Sequence, residues 1–442
     1  MQMTALAEVM KKCGIVGAGG AGFPSYAKLN EKADTIILNC AECEPLFRLH
    51  RQLLAEFASD ILSALDTVRE AVGAERAIIA VKPSYTEAIE EVESRLDLYK
   101  KIEISKLPEI YPAGDEIITI YETTGRIVKP GKLPITEGVI VYNVETILNV
   151  YRAINDNEAV CFKYITVAGE VKNPITVRVP IGITFDDALK LAGGVTEKDY
   201  ELISGGVMTG NIAKRTDVVT KTTNAILVLP KNHPVIMKKK TNTKINIYRA
   251  MSACCQCRMC TDLCSRNMLG YPIEPHSVMR AAAKGMTRDI DAMINTAYCS
   301  QCRICEMYAC PQGLSPANLI ATFKAEMKRK RVPLPDEASY KGLDDARIYK
   351  KIPMERLISR LGIEKYDVEA PFVDAEPKVK ELKIMLSQHI GQPAVPLCKK
   401  GDAVLAGQTL ATCEGLGADI HTPFDGKVKE ITDKYIIIGL KK

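Results

Sequence analysis

The sequence predicts a multidomain α/β protein, and three observations along the chain support this fold class. Strands and helices alternate over the first 160 residues, which is typical of a doubly wound parallel sheet. Two cysteine-rich blocks among helical segments follow, and short apolar strands separated by glycine turns come last. With 442 residues and a hydrophobic content of 47%, the chain can form about three packed domains.

The charge and hydropathy of the chain argue against two classes of partner. The formal net charge is only +5, so neither nucleic acid nor an anionic membrane is predicted to bind. The dense basic run Lys328–Arg331 is interpreted as a solvated helix end. No export signal and no apolar run near the ~18 residues of a membrane span are found, which predicts a soluble cytoplasmic protein with reduced thiols.

The first 160 residues place polar side chains directly after several predicted strands. The predicted strands are 35–39, 77–81, 102–107 and 139–142, and the predicted helices are 3–12, 51–72, 84–99 and one after residue 146. Ligands of such sheets bind at the carboxyl ends of the strands, so one shared site is the economical explanation. The polar residues are Asn39, Glu42, Glu44, Lys82, Tyr111, Asp115, Glu116 and Asn143.

A glycine-rich segment at 17–24, Gly-Ala-Gly-Gly-Ala-Gly-Phe-Pro, matches the spacing G-x-G-x-x-G. Glycines here let backbone N–H groups approach a phosphate closely, and a helix after Pro24 would add its positive end. Only Ile15 and Val16 precede the motif as strand residues, so the motif alone leaves a plain glycine-rich turn equally open. The candidate phosphate-binding residues are Gly17, Gly19, Gly20 and Gly22.

Nine of the fifteen cysteines lie in two blocks between Cys254 and Cys310. The first block has the spacing C-x2-C-x2-C-x3-C, and the second has C-x2-C-x2-C-x4-C followed by proline. Three thiolates at x2 spacing can hold three corners of an iron–sulfur cube, and the fourth cysteine of each block then ligates the other cluster. The predicted ligands of two [4Fe–4S] clusters are Cys254, Cys257, Cys260, Cys264, Cys299, Cys302, Cys305 and Cys310.

Zinc and disulfide bonds are the alternatives to clusters at these cysteines. A zinc site needs two C-x2-C pairs around one tetrahedral ion and has no use for a third cysteine in each block. Disulfides are disfavoured in a chain without an export signal, and cysteines this closely spaced pair poorly. Cys255 is the spare thiol of the first block, and Cys310 is the least secure ligand because of its four-residue gap.

Four segments of the first domain resemble the FMN- and NADH-binding segments of the flavin subunit of respiratory complex I. They are 17–24, 39–45 (Asn-Cys-Ala-Glu-Cys-Glu-Pro), 111–116 (Tyr-Pro-Ala-Gly-Asp-Glu) and 143–146 (Asn-Val-Glu-Thr). The chain is more similar still to the family of PduS cobalamin reductases and RnfC-like electron-transport flavoproteins. That resemblance extends over nearly the whole chain and implies FMN, NADH and two [4Fe–4S] clusters as cofactors.

The resemblance carries the family's cofactor-binding residues over to positions of this chain. It implies that Phe23 stacks on the nicotinamide nucleotide and that Glu44 contacts its ribose. Complex I subunits have Arg at the position of Ala18 and Asp at that of Ala41, and these departures bear on flavin affinity and NADH preference. The residues implied around FMN are Gly17, Gly19, Lys28, Asn39, Glu42, Tyr111, Asp115, Glu116, Asn143 and Thr146.

The same resemblance divides the chain into domains. The last domain resembles a biotinyl/lipoyl barrel-sandwich, and its carboxyl-terminal place is typical of PduS-like proteins. No Lys lies between Gly401 and Gly426, so it is interpreted as an unmodified structural or docking domain, and the β-grasp domain as a docking module without a ligand. The predicted domains are 1–160 (FMN/NADH-binding, α/β), 161–235 (SLBB β-grasp), 240–332 (helical, two-cluster ferredoxin-like), 333–380 (a proline-punctuated linker) and 381–442 (barrel-sandwich).

The function implied by the resemblance is that of an NADH-dependent oxidoreductase. Electrons from NADH would pass through FMN and the two clusters to cob(II)alamin, for reactivation of a B12-dependent diol or glycerol dehydratase. The implied partners are a corrinoid substrate, with an adenosyltransferase and bacterial microcompartment shell proteins as further candidates. The implied location is the cytoplasm, with the interior of a microcompartment as the finer candidate.

Two alternative functions stay open at the level of the sequence. One is an RnfC-like subunit that delivers NADH electrons to a membrane complex or to another reductase. The other is a non-catalytic docking protein that has kept the fold and lost the nucleotide site. No acid–base or nucleophilic catalytic triad is found in the sequence, and an electron-transfer function needs none.

Overall fold

The computed structural model describes residues 1–284, 289–335 and 337–440. In these residues it shows a parallel α/β domain, a β-grasp domain, a helical cysteine-rich region and a sandwich of two small sheets. The predicted multidomain fold class is confirmed. None of the helices in the described ranges combines the length and the apolar character needed to cross a membrane.

The first domain is built around a parallel sheet whose central strands are buried on both faces. The strands of this domain are β1 (Thr35–Asn39), β2 (Arg76–Val81), β3 (Ile102–Lys106), β4 (Ile110–Tyr111) and β5 (Val139–Asn143), and all but β4 belong to the parallel sheet. Its helices are α1 (Met3–Lys12), α2 (Leu49–Glu56), α3 (Ala58–Val72), α4 (Thr86–Glu93), α5 (Glu116–Thr124) and α6 (Val144–Asn155). The sheet order is β3-β2-β1-β5, and the register pairs Asn39 with Asn143 at the carboxyl ends of the two strands.

Two helices of the first domain differ from the predictions. The predicted helix 51–72 is interrupted at Phe57, so that two shorter helices wrap the sheet. After Pro24 the chain forms only a four-residue 3-10 turn, Ser25–Lys28, instead of a helix. The predicted contribution of a helix dipole to phosphate binding is therefore wrong, because so short a turn aligns too few peptide dipoles.

The β-grasp domain begins at Phe162, shortly after the end of α6 at Asn155. Its elements are β6 (Phe162–Gly169), β7 (Ile175–Pro180), α7 (Phe185–Leu191), β8 (Tyr200–Ser204), β9 (Asn211–Ala213) and β10 (Ala225–Pro230). The sequence prediction missed β8 and β9. Lys163 forms a buried ion pair with Glu145 of α6, whose other carboxylate oxygen accepts a hydrogen bond from the Tyr164 N–H at 3.1 Å. This pair fixes the second domain to the first.

The cysteine-rich region is helical and packs on the face of the parallel sheet that also carries α5. Val278, Ala281 and Ile320 join Ile37, Ile78 and Val141 of the sheet in one apolar cluster. The basic run 328–331 lies at the carboxyl end of the last helix of this region, Pro316–Arg329. The helices are α8 (Pro234–Lys240), α9 (Thr243–Ala253), α10 (Met259–Asp262), α11 (Ser265–Met268), α12 (Pro275–Ala283), α13 (Ile290–Ile294) and α14 (Pro316–Arg329), with a 3-10 turn Asn295–Tyr298 and a π-helical turn Cys305–Ala309.

The segment predicted as a linker, 333–380, is structured over much of its described length, and this corrects the prediction. It contains β11 (Ile352–Pro353), α15 (Met354–Leu361) and β12 (Phe372–Val373). β11 pairs with β4 of the first domain, and β12 pairs with β7 as the edge strand of the β-grasp sheet. Proline does not mark a linker throughout this segment, because Pro353 is the last residue of β11 and the N-cap of α15.

The last domain is a sandwich of two antiparallel sheets. Its strands are β13 (Glu381–Met385), β14 (Val395–Pro396), β15 (Ala403–Val404), β16 (Thr409–Thr412), β17 (Ile420–His421), β18 (Gly426–Ile431) and β19 (Tyr435–Leu440). One sheet has the order β13-β19-β18-β15 and the other β14-β16-β17. Their apolar faces share a core with the β-grasp domain. The remaining 3-10 turns are Leu96–Leu98, Pro134–Glu137, Asp345–Tyr349 and Glu364–Tyr366.

A buried lysine joins three domains. Lys221 of the β-grasp domain is 3% exposed, and its Nζ donates to the carbonyl oxygens of Gly14 and Asp419, each at 2.6 Å. Gly14 lies just before the glycine-rich segment, and Asp419 belongs to the barrel-sandwich domain. Burial lowers the pKa of Lys221 from its ordinary value of 10.5 to about 8.

We expect Lys221→Met to change the pH dependence of stability. Between pH 8 and 10.5 the unfolded chain holds a proton at Lys221 that the folded protein has released, so this residue makes the free energy of unfolding rise with pH in that window. The variant should lack that rise when thermal unfolding is followed anaerobically at a series of pH values. Lys198→Met, at an exposed lysine of the same domain, is the control. Equal pH profiles for the two variants would contradict the assignment.

Candidate functional site

A cavity of about 510 Å³ lies at the carboxyl ends of β1 and β5. A volume of this size is typical of cofactor sites. Its lining includes ten of the fourteen residues predicted to bind FMN and NADH. They are Gly17, Gly19, Gly20, Gly22, Phe23, Lys28, Asn39, Glu116, Asn143 and Thr146.

The polar side chains of the cavity are held in place by the strand ends. The Asn39 amide donates to the Gly114 carbonyl at 2.9 Å. Asn143 caps α6 through its Oδ1, which accepts from the Glu145 N–H at 3.0 Å. Lys28 Nζ donates to Glu116 Oε1 at 3.0 Å and to the Val141 carbonyl at 2.8 Å. The cavity thus presents amides, one cation and one carboxylate in fixed positions.

The glycine-rich segment forms one side of the cavity as a closed loop. The Gly17 N–H donates to the Phe23 carbonyl at 2.9 Å, and the Ala18 N–H donates to Thr146 Oγ1 at 3.0 Å. A Cβ on Gly19 would overlap the Asn143 amide, so the close approach requires glycine there. In the described part of the chain, no group accepts from the Gly19 or Gly20 N–H. These donors suit the phosphate of a flavin mononucleotide.

Two of the predicted site residues, Glu42 and Glu44, lie outside this lining. The main-chain N–H of His50 donates to Glu42 Oε1 at 2.9 Å, and both glutamates border a second cavity of about 440 Å³ that also contains Lys82. The Glu44 carboxylate accepts from the Met208 N–H at 2.8 Å and from the Thr209 N–H at 2.7 Å. A β-grasp loop therefore holds the Glu44 carboxylate, and the ribose contact of Glu44 stays a prediction.

The other two predicted residues outside the lining, Tyr111 and Asp115, connect the cavity to the cysteines. The Tyr111 hydroxyl donates to the Cys302 carbonyl at 2.7 Å. Asp115 caps α5 and pairs with Arg266 at 2.8 Å, and Arg266 lies two residues after Cys264. Gly114 and Glu116, which flank Asp115, both line the cavity. The segment 111–116 therefore contacts both the cavity of about 510 Å³, here called the flavin cavity, and a cysteine pocket.

The eight predicted cluster cysteines converge in two pockets, each with cysteines from both blocks. One pocket, here called the inner pocket, is lined by Cys264, Cys299, Cys302 and Cys305. The outer pocket is lined by Cys254, Cys257, Cys260 and Cys310, with the spare Cys255 at its edge. This is the crosswise arrangement that the spacing predicts for two iron–sulfur cubes. In the described ranges, no three His, Cys, Asp or Glu side chains are grouped as they would be around a single metal ion.

The spacing before Cys310 has one residue more than the spacing before Cys264, and a change of helix type accommodates it. In the first block an α-helical turn, Met259–Asp262, precedes Cys264. In the second block the extra residue lies in the π-helical turn Cys305–Ala309, which precedes Cys310. Cys264 and Cys310 then have nearly the same backbone angles, with φ and ψ of −76° and 113° for the first and −76° and 112° for the second. Cys310 is placed as well as its counterpart.

Both cysteine loops share an unusual backbone conformation. Of the seven non-glycine residues with positive φ in the described chain, four lie here: Gln256, Arg258, Gln301 and Arg303. They occupy equivalent places in the two C-x2-C-x2-C repeats, and each left-handed residue costs about 1–2 kcal/mol. The Gln301 N–H donates to Cys299 Sγ at 3.3 Å. Strain repeated at equivalent positions fits loops that wrap a cluster, since such conformations concentrate at ligand sites.

The thiols of both pockets need a positively charged partner to ionise. Burial and neighbouring cysteines raise the pKa of Cys302 to about 11 and that of Cys260 to about 12. Iron bound by these cysteines would supply the positive charge that favours their thiolate form. The donor set, four soft sulfur atoms per pocket, suits iron–sulfur clusters.

The sequence prediction missed several residues of the site. Arg266 lines the inner pocket and pairs with Asp115, His50 lies 3.0 Å from the Asn143 amide nitrogen, and Ile390 of the barrel-sandwich domain lines the flavin cavity. Arg266 follows a cluster cysteine and could have been suspected from that. Nothing in the sequence indicates that Ile390 would meet the first domain.

Four family descriptions match successive parts of the chain. They are the Nuo51 FMN-binding domain over residues 10–152, the SLBB domain over 164–211, the 4Fe-4S dicluster domain over 253–315 and the RnfC barrel sandwich hybrid domain over 364–441. Cobalamin reductase PduS of Citrobacter freundii is 38% identical over 98% of this chain and 95% of its own length. The chain belongs to the PduS cobalamin reductase family. The PduS protein of Salmonella typhimurium strain LT2 matches with the same identity and coverage.

More distant similarities agree with this family. One component of the Na(+)-translocating ferredoxin:NAD(+) oxidoreductase complex of Acetobacterium woodii is 31% identical over 63% of this chain and 61% of its own length. The crystal structure of an NAD+-reducing [NiFe]-hydrogenase in the H2-reduced state superposes with a TM-score of 0.51 at 19% identity, covering 76% of this chain and 64% of that one. The likeness to the hydrogenase concerns the fold alone.

Membership in this family makes the protein an electron-transfer oxidoreductase that contains FMN and iron–sulfur clusters. The geometry agrees, because the glycine loop and strand-end amides form a cavity of suitable size and two four-cysteine pockets lie beside it. The predictions of FMN and [4Fe–4S] cofactors are confirmed at this level.

Proposed function

We propose that this protein carries electrons from NADH through FMN and two [4Fe–4S] clusters to cob(II)alamin. The contact of segment 111–116 with both the flavin cavity and the inner pocket is the observation that carries the relay. The acceptor is proposed from the PduS relatives, which are named cobalamin reductases and align with almost the whole chain. FMN, when bound, accepts the two electrons of a hydride and passes them on singly, as clusters require.

In this proposal, the residues of the chain hold and separate the redox groups. Phe23 and the part of the flavin cavity beside it receive the nicotinamide nucleotide. Segment 111–116 sets the spacing between the flavin cavity and the inner pocket. Arg266 lines the inner pocket while paired with Asp115, and the charges of this ion pair would help to set the reduction potential of a cluster there. The FMN-binding residues proposed are Gly17, Gly19, Gly20, Gly22, Lys28, Asn39, Glu116, Asn143 and Thr146.

The eight pocket cysteines are the proposed cluster ligands, and the order of the clusters follows from their surroundings. The inner pocket adjoins the first domain through Tyr111 and Arg266. The outer pocket lies at the surface, where Cys257 is exposed and Met259 is 44% exposed. We therefore place electron exit to the corrinoid at the outer pocket. An adenosyltransferase and microcompartment shell proteins are the further partners in this proposal, with a cytoplasmic location and encapsulation as its finer form.

The experiment that tests the function compares electron acceptors. Reconstituted full-length protein is mixed anaerobically with NADH and either cob(III)alamin, cob(II)alamin or methyl viologen. Reduction of both corrinoids is the expected result. Reduction of viologen without corrinoid reduction would contradict the acceptor and favour a protein that delivers electrons to another reductase, as the similarity to the Acetobacterium woodii complex suggests. Inactivity with every acceptor would favour a docking role.

A further inference from the structure

The barrel-sandwich domain contributes a residue to the flavin cavity. The loop Gln388-His389-Ile390-Gly391-Gln392-Pro393 reaches the glycine-rich segment, and Ile390 lines the cavity beside it. The proposed electron path from NADH through FMN and the two clusters does not require this loop. Its position instead makes the last domain part of the nucleotide site.

The loop meets the glycine-rich segment at Gly22. The Ile390 N–H donates to the Gly22 carbonyl at 3.1 Å. A Cβ on Gly22 would lie 2.8 Å from Thr222 Cγ2 and 3.0 Å from the His389 Cα, so only glycine permits this approach. Gly22 immediately precedes Phe23, and the loop is therefore fixed against the part of the cavity assigned to the nicotinamide nucleotide.

Hydrogen bonds also hold the loop on its other side. The Ala418 N–H donates to His389 Nε2 at 2.7 Å, and burial lowers the pKa of His389 to about 4, which keeps the ring neutral and able to accept. The Lys221 N–H donates to Gln388 Oε1 at 3.0 Å, in the same junction that holds Gly14 and Asp419. Ile390 is thus a pre-positioned side chain and not a loose surface residue.

Ile390 is 46% exposed although its backbone is fixed at the cavity. An apolar side chain held at a cavity lip gains burial when a ligand covers it. Ile390 lies against Gly22, next to Phe23, at the end of the cavity that the proposed function assigns to the nicotinamide nucleotide. Resting on the proposed use of NADH, we propose that Ile390 packs against the bound nicotinamide dinucleotide and is a binding residue for that substrate, not for FMN.

The test compares Ile390→Ala with Leu405→Ala in reconstituted full-length protein. Leu405 is 63% exposed in the same domain and does not line the cavity, so the control removes a similar apolar area elsewhere. Binding of NAD+ is measured by calorimetry, NADH affinity by the concentration dependence of flavin reduction, and FMN content by release on heating. Ile390→Ala should weaken both nucleotides about tenfold, with FMN content and the limiting rate of flavin reduction unchanged.

Two outcomes would overturn the proposal. Equal nucleotide affinities for Ile390→Ala and Leu405→Ala would show that Ile390 makes no contact with the nucleotide. Loss of FMN from Ile390→Ala alone would assign the side chain to the flavin. A failure of the proposed function itself is seen separately, because the wild-type protein would then not be reduced by NADH.

Discussion

Replacing Cys264 by Ala should remove the cluster of the inner pocket, although Cys264 belongs to the first cysteine block. The reason is geometric: Cys264 lines the same pocket as Cys299, Cys302 and Cys305. The iron content of the reconstituted protein should fall from about eight to about four atoms per chain. Cys255→Ala, at the exposed spare thiol, is the control and should keep about eight.

Double variants decide which cluster Cys264 serves. Cys264→Ala combined with Cys302→Ala should retain about four iron atoms, because both substitutions damage one cluster, whereas Cys264→Ala combined with Cys257→Ala should retain almost none. The reverse pattern would mean that each block ligates its own cluster. Cys310→Ala should behave like Cys257→Ala, since the π-helical turn delivers Cys310 to the outer pocket.

Gly19→Ala should weaken FMN binding by about 10- to 100-fold. The new Cβ would overlap the Asn143 amide, and accommodating it must move either the glycine loop or the cap of α6, at a cost of about 1–3 kcal/mol. The FMN dissociation constant of the apoprotein, measured by flavin fluorescence quenching, reports the effect. Gly20→Ala, also in the proposed FMN site, is the comparison for chain packing alone, because a Cβ there meets no atom of the chain within 4 Å.

The two glycine variants should also differ in the thermal stability of the apoprotein. Gly20→Ala should leave the unfolding midpoint unchanged, while Gly19→Ala should lower it, because only Gly19 lies against Asn143. If Gly19→Ala bound FMN as tightly as the wild-type protein, the close packing of this loop on the strand end would not matter for the cofactor.

Sequence reasoning places the residues whose positions depend on the parallel sheet alone. Asn39 and Asn143 end neighbouring strands, and their register pairs them at the cavity as expected. Tyr111 is predicted at the same edge, but its short strand pairs with β11, a partner that lies far along the chain and that no local pattern connects to it. The segment that supplies β11 is rich in proline, as linkers are, so the sequence does not indicate that it pairs with β4.

Contacts between domains explain the other differences. Glu44 follows a strand of the sheet, yet it is held by the β-grasp loop at Met208 and Thr209, and a Cβ on Gly206 would overlap its carboxylate. Such a fit depends on the shapes of two folded domains and leaves no periodic pattern in either. The cysteine pockets are predictable because their spacing encodes ligand geometry directly, and only the π-helical turn before Cys310 needs the structure.

The relay itself is tested most directly by NADH-driven reduction of cob(II)alamin in the wild-type protein and in Cys264→Ala. Both proteins are first matched for FMN content, and flavin reduction by NADH is followed in the same anaerobic experiment as corrinoid reduction. We predict that Cys264→Ala keeps flavin reduction and loses corrinoid reduction to the level without enzyme. The reason is that, in the proposed relay, the cluster of the inner pocket passes electrons from the flavin cavity to the cluster of the outer pocket. Corrinoid reduction at the wild-type rate in Cys264→Ala would show that electrons leave without passing the inner cluster, and would contradict the account.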